Sequence, residues 1–169
     1  MTQKTHTPTK GAETLATEMA DRNDSMMLVA LEMAKKAASQ DEVPVGAAVF
    51  HKNGELICAE HNRTRQLNDP TAHAELLVIK KACALLETQN LNDYILAVTL
   101  EPCAMCAAGI AWAKVGQVRF GAYDVKSGGT VNGARIFDWK TCHHTPEIYG
   151  GIMERVCGEL IRSFFQKKR

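Results

Sequence analysis

The sequence predicts a layered α/β domain. Its 169 residues are 46% hydrophobic and carry a formal net charge of +1, which is enough apolar material for one soluble domain with one core. Apolar residues recur with helical spacing in four segments, and short strand-like apolar runs lie between them. Because these predicted helices and strands alternate along the chain, we expect helices packed on a sheet.

The first helix is expected to begin at Asn23-Asp24-Ser25, whose side chains are typical of a helix N-cap. Residues 1–22 are then predicted to be a disordered tail before a domain of residues 23–169. The tail is basic, with no acidic residue before Glu13, so a transit peptide is the alternative. The apolar positions of the helix share one face: Met27, Ala30, Leu31, Ala34, Ala37 and Ala38.

A β-hairpin is predicted next. The short apolar runs Gly46 to Phe50 and Leu56 to Ala59 flank Asn53-Gly54, a dipeptide typical of a tight turn. A loop of residues 61–70 follows the hairpin and leads to a second helix that extends to about Leu86.

The second half of the sequence continues the alternation. Its predicted elements are a strand at Tyr94–Leu100, a helix at roughly Cys103–Ala113, a strand at Val118–Ala122, a fifth strand near Glu147–Tyr149 and a helix at Met153–Lys168. The glycine-rich loop of residues 126–133 is expected to be ordered by contact with another part of the molecule.

Two motifs together indicate a catalytic zinc site. His73-Ala-Glu75 is followed at a distance by Pro102-Cys-Ala-Met-Cys106. One imidazole, from His73, and two thiolates, from Cys103 and Cys106, form a ligand set that suits zinc, and three protein ligands leave the fourth tetrahedral position open for water. Glu75 is then more useful as a proton shuttle than as a fourth ligand.

The spacing within each motif constrains the local structure. Cys103 and Cys106 lie three residues apart and therefore share a helix face near the positive N-terminus, with Pro102 in the first turn. His73 and Glu75 lie two residues apart and would diverge by about 200° in a regular helix. Either the long Glu75 side chain or an irregular first turn must therefore bring the carboxylate toward the metal.

Each motif alone has a simpler interpretation. Cys-x-x-Cys also occurs in redox proteins and structural zinc knuckles, His73 alone would more often be a structural histidine, and Glu75 a solvated acid. Their combination favours catalysis. No export signal accompanies the six cysteines, so reduced thiols are expected. Cys142-His143-His144 is interpreted as loop residues, with a second metal cluster as the alternative.

The predicted reaction is a hydrolytic deamination. Zinc activates a water molecule, Glu75 accepts its proton, and the water oxygen attacks an amino-bearing ring carbon such as C6 of adenine or C4 of cytosine. Glu75 then passes protons to the ring nitrogen and to the departing ammonia. Zinc ligands with a non-ligand glutamate are the known signature of nucleobase deaminases.

The chain resembles the bacterial tRNA-specific adenosine deaminases over about residues 25–169. These enzymes convert adenosine to inosine at the wobble position of the anticodon. Beyond the zinc motifs, the similar segments are Glu42-Val-Pro-Val-Gly-Ala47, Asn62-Arg63, Asp69-Pro-Thr-Ala-His-Ala-Glu75, Val98-Thr-Leu-Glu-Pro-Cys103, Phe120-Gly-Ala-Tyr-Asp-Val-Lys126 and Phe164-Phe165.

The resemblance implies a three-layer α/β/α cytidine-deaminase-like fold with a five-stranded mixed sheet, one zinc ion per subunit and a homodimer that contacts the tRNA anticodon stem-loop. It implies that Asn62 binds the flipped-out nucleoside and that Val43 to Gly46 line the pocket, Gly46 because glycine lets backbone approach a ligand. Asp124 is implied to lie near the anticodon backbone. Tyr123, where the family often has a basic residue, and Val131 to Thr145 depart from the family pattern.

The C-terminal segment is the most basic part of the sequence. Arg155 to Arg169 contains five basic residues and Glu159 as its acid, so its cations are predicted to pair with phosphates and Phe165 to stack on an unpaired base. Without the family resemblance, Phe164 and Phe165 would be interpreted as core residues. With it, we expect one to point inward and the other to lie near RNA.

Two other functions stay open from the sequence. One is a deaminase of free guanine, cytosine or a nucleoside on the same scaffold, and the other is a non-catalytic, zinc-stabilised RNA-binding module. The three-ligand site argues against the second, because structural zinc usually has four protein ligands. No membrane contact and no organic cofactor are expected, and a cytoplasmic location is predicted.

Overall fold

The computed structural model describes residues 10–168, with side chains described from residue 17 onward. Four α-helices, five strands and one short 3₁₀-helix are seen in that part of the chain. Their bounds in chain order are α1 Lys10–Ser39, β1 Gly46–His51, β2 Leu56–His61, α2 Ala74–Leu85, β3 Tyr94–Leu100, α3 Ala104–Trp112, β4 Gln117–Ala122, the 3₁₀-helix Ile136–Asp138, β5 Glu147–Tyr149 and α4 Glu154–Gln166.

The strands form a single mixed sheet in the order β2-β1-β3-β4-β5. Strand β1 pairs antiparallel with both β2 and β3, whereas β4 runs parallel to β3 and β5. The predicted hairpin is confirmed, and its turn contains Gly54 at φ 101°, a conformation that favours glycine. The predicted α/β fold with a five-stranded mixed sheet is therefore confirmed.

Helices cover both faces of the sheet. Alternate residues of β1 face opposite layers: Ala47 and Val49 join the core beneath α2 and α3, whereas Ala48 and Phe50 pack with Met26 of α1. Helices α1 and α4 meet over the end of β4, in a cluster that includes Leu31, Ala122 and Cys157. This layering places the starts of α2 and α3 together on one side of the sheet.

Helix α1 begins earlier than predicted. Its first residue is Lys10, so the expected start at Asn23-Asp24-Ser25 and the proposed boundary after residue 22 both fall inside the helix. Ser25 does not cap the helix, because its hydroxyl donates back to the carbonyl oxygen of Arg22 at 2.9 Å. Arg22 in turn donates to the carbonyl oxygen of Lys52 at 2.6 Å, which attaches this part of α1 to the hairpin. Residues 1–9 of the predicted tail lie outside the described residues.

All six cysteines are free thiols, as expected. Cys58 and Cys157 are buried and Cys83 is partly exposed. Burial raises the pKa of both the Cys58 and the Cys157 thiol to about 11, so these two behave as small apolar side chains. Within residues 10–168, no helix is both long and apolar enough to cross a membrane.

Candidate metal centre and active site

The start of α2 explains how His73 and Glu75, two residues apart, can both lie beside the metal cluster. His73 precedes the helix, in extended conformation at φ −73° and ψ 148°, whereas Glu75 lies within its first turn. Because His73 is not helical, the two side chains need not diverge as they would in a regular helix. Of the two expected solutions, the structure shows the irregular start.

The two cysteines are placed by the start of α3. Cys103 is the N-cap residue, in extended conformation at φ −70° and ψ 172°, and Cys106 lies in the first turn. Pro102 therefore precedes the cap and is not part of the first helical turn, which corrects the prediction made for it. The prediction that both sulfurs lie at the helix N-terminus is confirmed.

These elements bring three ligand atoms into one cluster. One ligand atom from each of His73, Cys103 and Cys106 lies within 4.8 Å of the others, and this is the cluster of metal-binding side chains found among the described residues. The Nδ1 atom of His73 is 3.7 Å from Sγ of Cys103 and 3.5 Å from Sγ of Cys106. Tetrahedral zinc with ordinary bond lengths separates nitrogen and sulfur ligands by about 3.6 Å. The cluster therefore fits zinc.

Protonation of the cluster follows from its close contacts. A hydrogen bond from Cys106 lowers the pKa of the Cys103 thiol to about 4, and the same bond raises the pKa of Cys106. The hydrogen bond between Cys103 and His73 raises the pKa of the imidazole. The site thus stabilises a thiolate, the form in which cysteine binds metal.

Glu75 lies deep beside the cluster. The residue is 4% exposed, and burial raises the pKa of its carboxyl group to about 7. Its Oε2 atom is buried and has no hydrogen-bond partner within residues 10–168. A buried carboxylate oxygen without a partner is costly unless it serves another group, and here it has a free lone pair next to the metal cluster.

Comparison with known proteins places the chain in a family. Residues 5–122 match the cytidine and deoxycytidylate deaminase zinc-binding region. The tRNA-specific adenosine deaminase of Agrobacterium fabrum is 46% identical over 151 residues, which cover 89% of this chain and 98% of that protein. The chain belongs to the tRNA-specific adenosine deaminase family. The enzyme of the same name from Bacillus subtilis is 38% identical over 88% of this chain and 91% of its own length.

Solved structures agree with the assignment of this chain to the deaminase family. A structure from studies of A-to-I editing by tRNA:A34 deaminases is 45% identical, with a TM-score of 0.78 over 80% of this chain and 98% of that chain. A guanine deaminase from Nitrosomonas europaea, at 24% identity, shares the fold with a TM-score of 0.72. The predicted family, fold and zinc dependence are confirmed.

Asn62 supports the metal-binding segment of the deaminase. It is 6% exposed, and its side-chain oxygen accepts a hydrogen bond of 2.8 Å from the backbone N–H of Ala74. That amide directly follows His73, so Asn62 fixes the start of α2.

Val43 and Gly46 lie at the entry to β1, and the structure gives the glycine a packing role. A Cβ atom at Gly46 would lie 2.1 Å from the backbone oxygen of Ala30 and 2.4 Å from the nitrogen of Ala34, both in α1. Glycine is therefore required at this position for close packing of β1 against α1. Val43 is partly buried and packs against the core beneath α2 and α3.

Asp124 and the glycine-rich loop are held by a residue to which sequence reasoning gave no role. Glu101 is 2% exposed, and its carboxylate accepts hydrogen bonds from Asp124, Thr130, Val131 and Asn132. The expectation that the loop is ordered by contact is thus confirmed. The one sequence signal was an acid directly before Pro102-Cys103, at the end of a buried strand.

The two phenylalanines of the C-terminal helix differ in exposure. Phe165 is 48% exposed, whereas Phe164 is partly buried, and their rings meet edge to face at 5.4 Å. Two basic groups already have acidic neighbours: Arg155 in the helix contacts Glu159 at 3.0 Å, and Lys168, just after the helix, contacts Asp41. Phe165 is therefore the more accessible of the two rings.

Cys142, His143 and His144 form no metal cluster within the described residues. Nε2 of His144 lies 2.7 Å from the carbonyl oxygen of Val115, and the Cys142 thiol donates to the carbonyl oxygen of His144. These contacts agree with the interpretation of the segment as loop residues.

Proposed function

We propose that this protein hydrolyses adenosine to inosine at the wobble position of a tRNA anticodon. The observation that carries the proposal is that the cluster of His73, Cys103 and Cys106 beside the buried Glu75 lies in a chain that matches a tRNA-specific adenosine deaminase over 98% of that protein's length. An anticodon loop presents bases that are partly unpaired, which lowers the cost of extruding one into a pocket.

His73, Cys103 and Cys106 are proposed to hold one zinc ion per subunit. Bound there, zinc would supply Lewis-acid activation of a water molecule at the position that the protein leaves open. The two thiolates and the imidazole use all three donor atoms of the cluster, which leaves Glu75 outside the ligand set.

Glu75 is proposed to carry the protons of the reaction. Its carboxylate accepts a proton from water as the water oxygen bonds to C6 of adenine, and it donates that proton to ring N1. It next takes up the proton of the newly attached hydroxyl and gives it to the exocyclic amine, and the C6–N6 bond breaks to release ammonia. One water enters and one ammonia leaves. A carboxyl pKa of about 7 suits a group that both accepts and donates protons near neutral pH.

Asn62 and Val43 are proposed to contact the extruded nucleoside, and Gly46 to shape the same pocket through the position of β1. Asp124 is proposed to lie beside the anticodon backbone, with Phe165 stacked on an unpaired base. The exposure of Phe165 and the position of Asp124 after the carboxyl end of β4 support these assignments.

We further propose that the protein acts as a homodimer in the cytoplasm, where tRNA is used. Large apolar side chains are exposed along α2 and α3 and beside them: Trp112 is 82%, Leu85 60% and Trp139 55% exposed. A groove of about 260 Å³ lies between Trp112 and Trp139. Exposed apolar surface of this kind is typical of an interface.

The test is a substrate panel. The zinc-loaded protein is incubated with a tRNA transcript that carries adenosine at the wobble position, with the same transcript carrying guanosine there, and with free guanine and cytosine. Inosine and ammonia from the first substrate alone are expected. Turnover of a free base without inosine in tRNA would select the alternative deaminase, and zinc binding without any turnover would select an RNA-binding module.

A further inference from the structure

Glu101 is a buried acid that the proposed reaction does not use. It follows the last residue of β3 and precedes Pro102-Cys103, so it lies between the central sheet and a zinc ligand. The residue is 2% exposed, and no ion pair to it is found within residues 10–168. A buried carboxylate without a cation must be stabilised by hydrogen bonds.

Five hydrogen bonds to Glu101 come from one loop, residues 124–132. Its Oε1 atom accepts from the Thr130 hydroxyl at 2.9 Å and from the backbone N–H groups of Val131 at 2.9 Å and Asn132 at 2.8 Å. Its Oε2 atom accepts from the backbone N–H of Asp124 at 3.0 Å and from the side-chain amide of Asn132 at 2.7 Å. One carboxylate thus fixes both ends of the loop.

The same loop lies directly on the segment that carries the zinc ligands. Gly128 forms an antiparallel bridge with Cys103, and the N–H of Gly129 donates to the carbonyl oxygen of Pro102 at 2.8 Å. A Cβ atom at Gly129 would lie 2.4 Å from the backbone nitrogen of Ala104, so only glycine allows this contact. The position of the loop relative to Cys103 is therefore tightly defined.

Asp124 begins this loop and is itself part of the arrangement. Its Oδ1 atom accepts from the backbone N–H groups of Lys126 at 3.1 Å and Ser127 at 3.0 Å, while its carbonyl oxygen accepts from Gly128 at 2.9 Å. Its own N–H donates to Glu101. Tyr123 and Val125 on either side are exposed, so this turn presents its outer surface to solvent beside the metal centre.

We propose that Glu101 is a positioning residue for substrate binding, which holds the loop of residues 124–132 against Cys103 so that the Asp124 turn faces the bound nucleic acid. This rests on the proposed function. Glu101 touches no reacting atom. It acts through the loop, and the acid directly before Pro102-Cys103 thereby joins the metal centre to the substrate-facing surface.

The test replaces the carboxylate by an amide in Glu101→Gln. The carboxylate has two accepting oxygens, whereas an amide has one accepting oxygen and one donating nitrogen. With that nitrogen at the position of Oε2, the N–H of Asp124 and the side-chain amide of Asn132 would face a third donor and lose their acceptor. We expect KM for tRNA to rise roughly tenfold or more, from the loss of hydrogen bonds to a charged group. The zinc content by mass spectrometry should be unchanged, and kcat should change far less than KM.

Two further variants separate positioning from general stability. Glu147→Gln is the matched control, since Glu147 also accepts side-chain hydrogen bonds, from Gln117 and Tyr149 at 2.9 Å, but lies on β5 away from the site. It should leave KM unchanged. Adding Asn132→Asp to Glu101→Gln lets the new amide donate to a new carboxylate and should recover part of the lost affinity.

Hydrogen exchange gives a readout that does not need activity. In Glu101→Gln, the amides of Asp124, Val131 and Asn132 should exchange faster, while amides of β3 should not. If the wild type forms no inosine in tRNA, the proposed function fails, and this exchange result still reports on the loop. A folded, zinc-loaded variant with unchanged KM, or one whose kcat falls while KM stays constant, would overturn the positioning role.

Discussion

His73 and Glu75 show how single residues define the chemistry of this site. His73 lies before α2 in extended conformation and Glu75 lies within the helix, so a two-residue spacing places an imidazole and a carboxylate beside the same cluster. The ligands were predictable because few residue sets other than His, Cys and Cys with a nearby Glu suit catalytic zinc. The irregular start of α2 could not be predicted from the sequence, because a long Glu75 side chain and an irregular first turn both satisfied the two-residue spacing.

The role of Glu101 depends on partners that are distant in the sequence. The donors that hold it lie 23 to 31 residues further along the chain. Three of its five hydrogen bonds come from backbone N–H groups, which every residue except proline has. A buried role of this kind depends on the folded path of the loop, and the acid directly before Pro102-Cys103 is its one local signal in the sequence.

Glu75→Gln tests the proton-transfer role directly. The amide keeps the size of the side chain but cannot accept a proton, so turnover should fall by about 10² to 10⁴. Zinc content should stay at one ion per subunit, because Glu75 is not among the three ligands. Activity and metal content are measured on the same preparation.

The control for this variant is Glu55→Gln in the exposed hairpin turn, which should keep full turnover. Loss of zinc from Glu75→Gln would show that Glu75 is a ligand, and retained turnover would remove its role in proton transfer.

Helix α1 and strand β1 illustrate the element scale, where contacts between elements override local signals. The capping residues at 23–25 predicted a helix start, yet Arg22 is tied to the hairpin and the helix continues through them. Strand positions were predicted well, because short apolar runs bounded by turn residues need no distant information. The packing role of Gly46 was not predicted, since only the folded structure shows that α1 fills the space beside it.

Gly46→Ala should destabilise the protein. The added Cβ would lie 2.1 Å from a backbone oxygen of α1, so the helix must move away from the sheet, at a cost of about 1 to 3 kcal/mol. The midpoint of thermal unfolding should fall by about 2 to 4 °C for each kcal/mol.

Gly158→Ala in α4 is the matched control. There the added Cβ meets only the movable end of the Arg162 side chain at 3.1 Å, and alanine favours helix. Its midpoint should stay the same or rise. Equal midpoints for both variants would contradict the packing account of Gly46.

The basic residues that follow α4 are predicted to bind RNA through charge. Deleting residues 166–169 removes Lys167, Lys168 and Arg169, so tRNA affinity should fall. The slope of log K against the logarithm of the salt concentration should become less steep by about 0.7 for each phosphate that these cations neutralise. Lys168 contacts Asp41 in the absence of RNA, but this pair is exposed and easily exchanged for a phosphate.

Binding of tRNA is measured at several salt concentrations. The control is Lys35→Gln with Lys36→Gln, which removes exposed cations of α1 and should leave the slope unchanged. An unchanged affinity of the deletion variant at every salt concentration would exclude the C-terminal end from RNA binding.

At the scale of the whole molecule, the exposed apolar surface of α2 and α3 predicts assembly. Trp112 is 82% exposed, so Trp112→Glu would place a charge in the proposed interface and should yield monomers in sedimentation equilibrium. Leu28→Glu, at a 51% exposed position of α1, is the control and should stay dimeric. A wild-type monomer, or a dimer that Trp112→Glu leaves intact, would argue against this interface.

The central claim is that the zinc cluster beside the buried Glu75 acts on an adenosine in tRNA. The most direct measurement maps inosine by position in a full-length tRNA after incubation with the zinc-loaded protein and quantifies ammonia in the same sample. One inosine at the wobble position, one equivalent of ammonia and neither product with Glu75→Gln are predicted. Inosine absent from the tRNA while free guanine or cytosine is deaminated would contradict the claim.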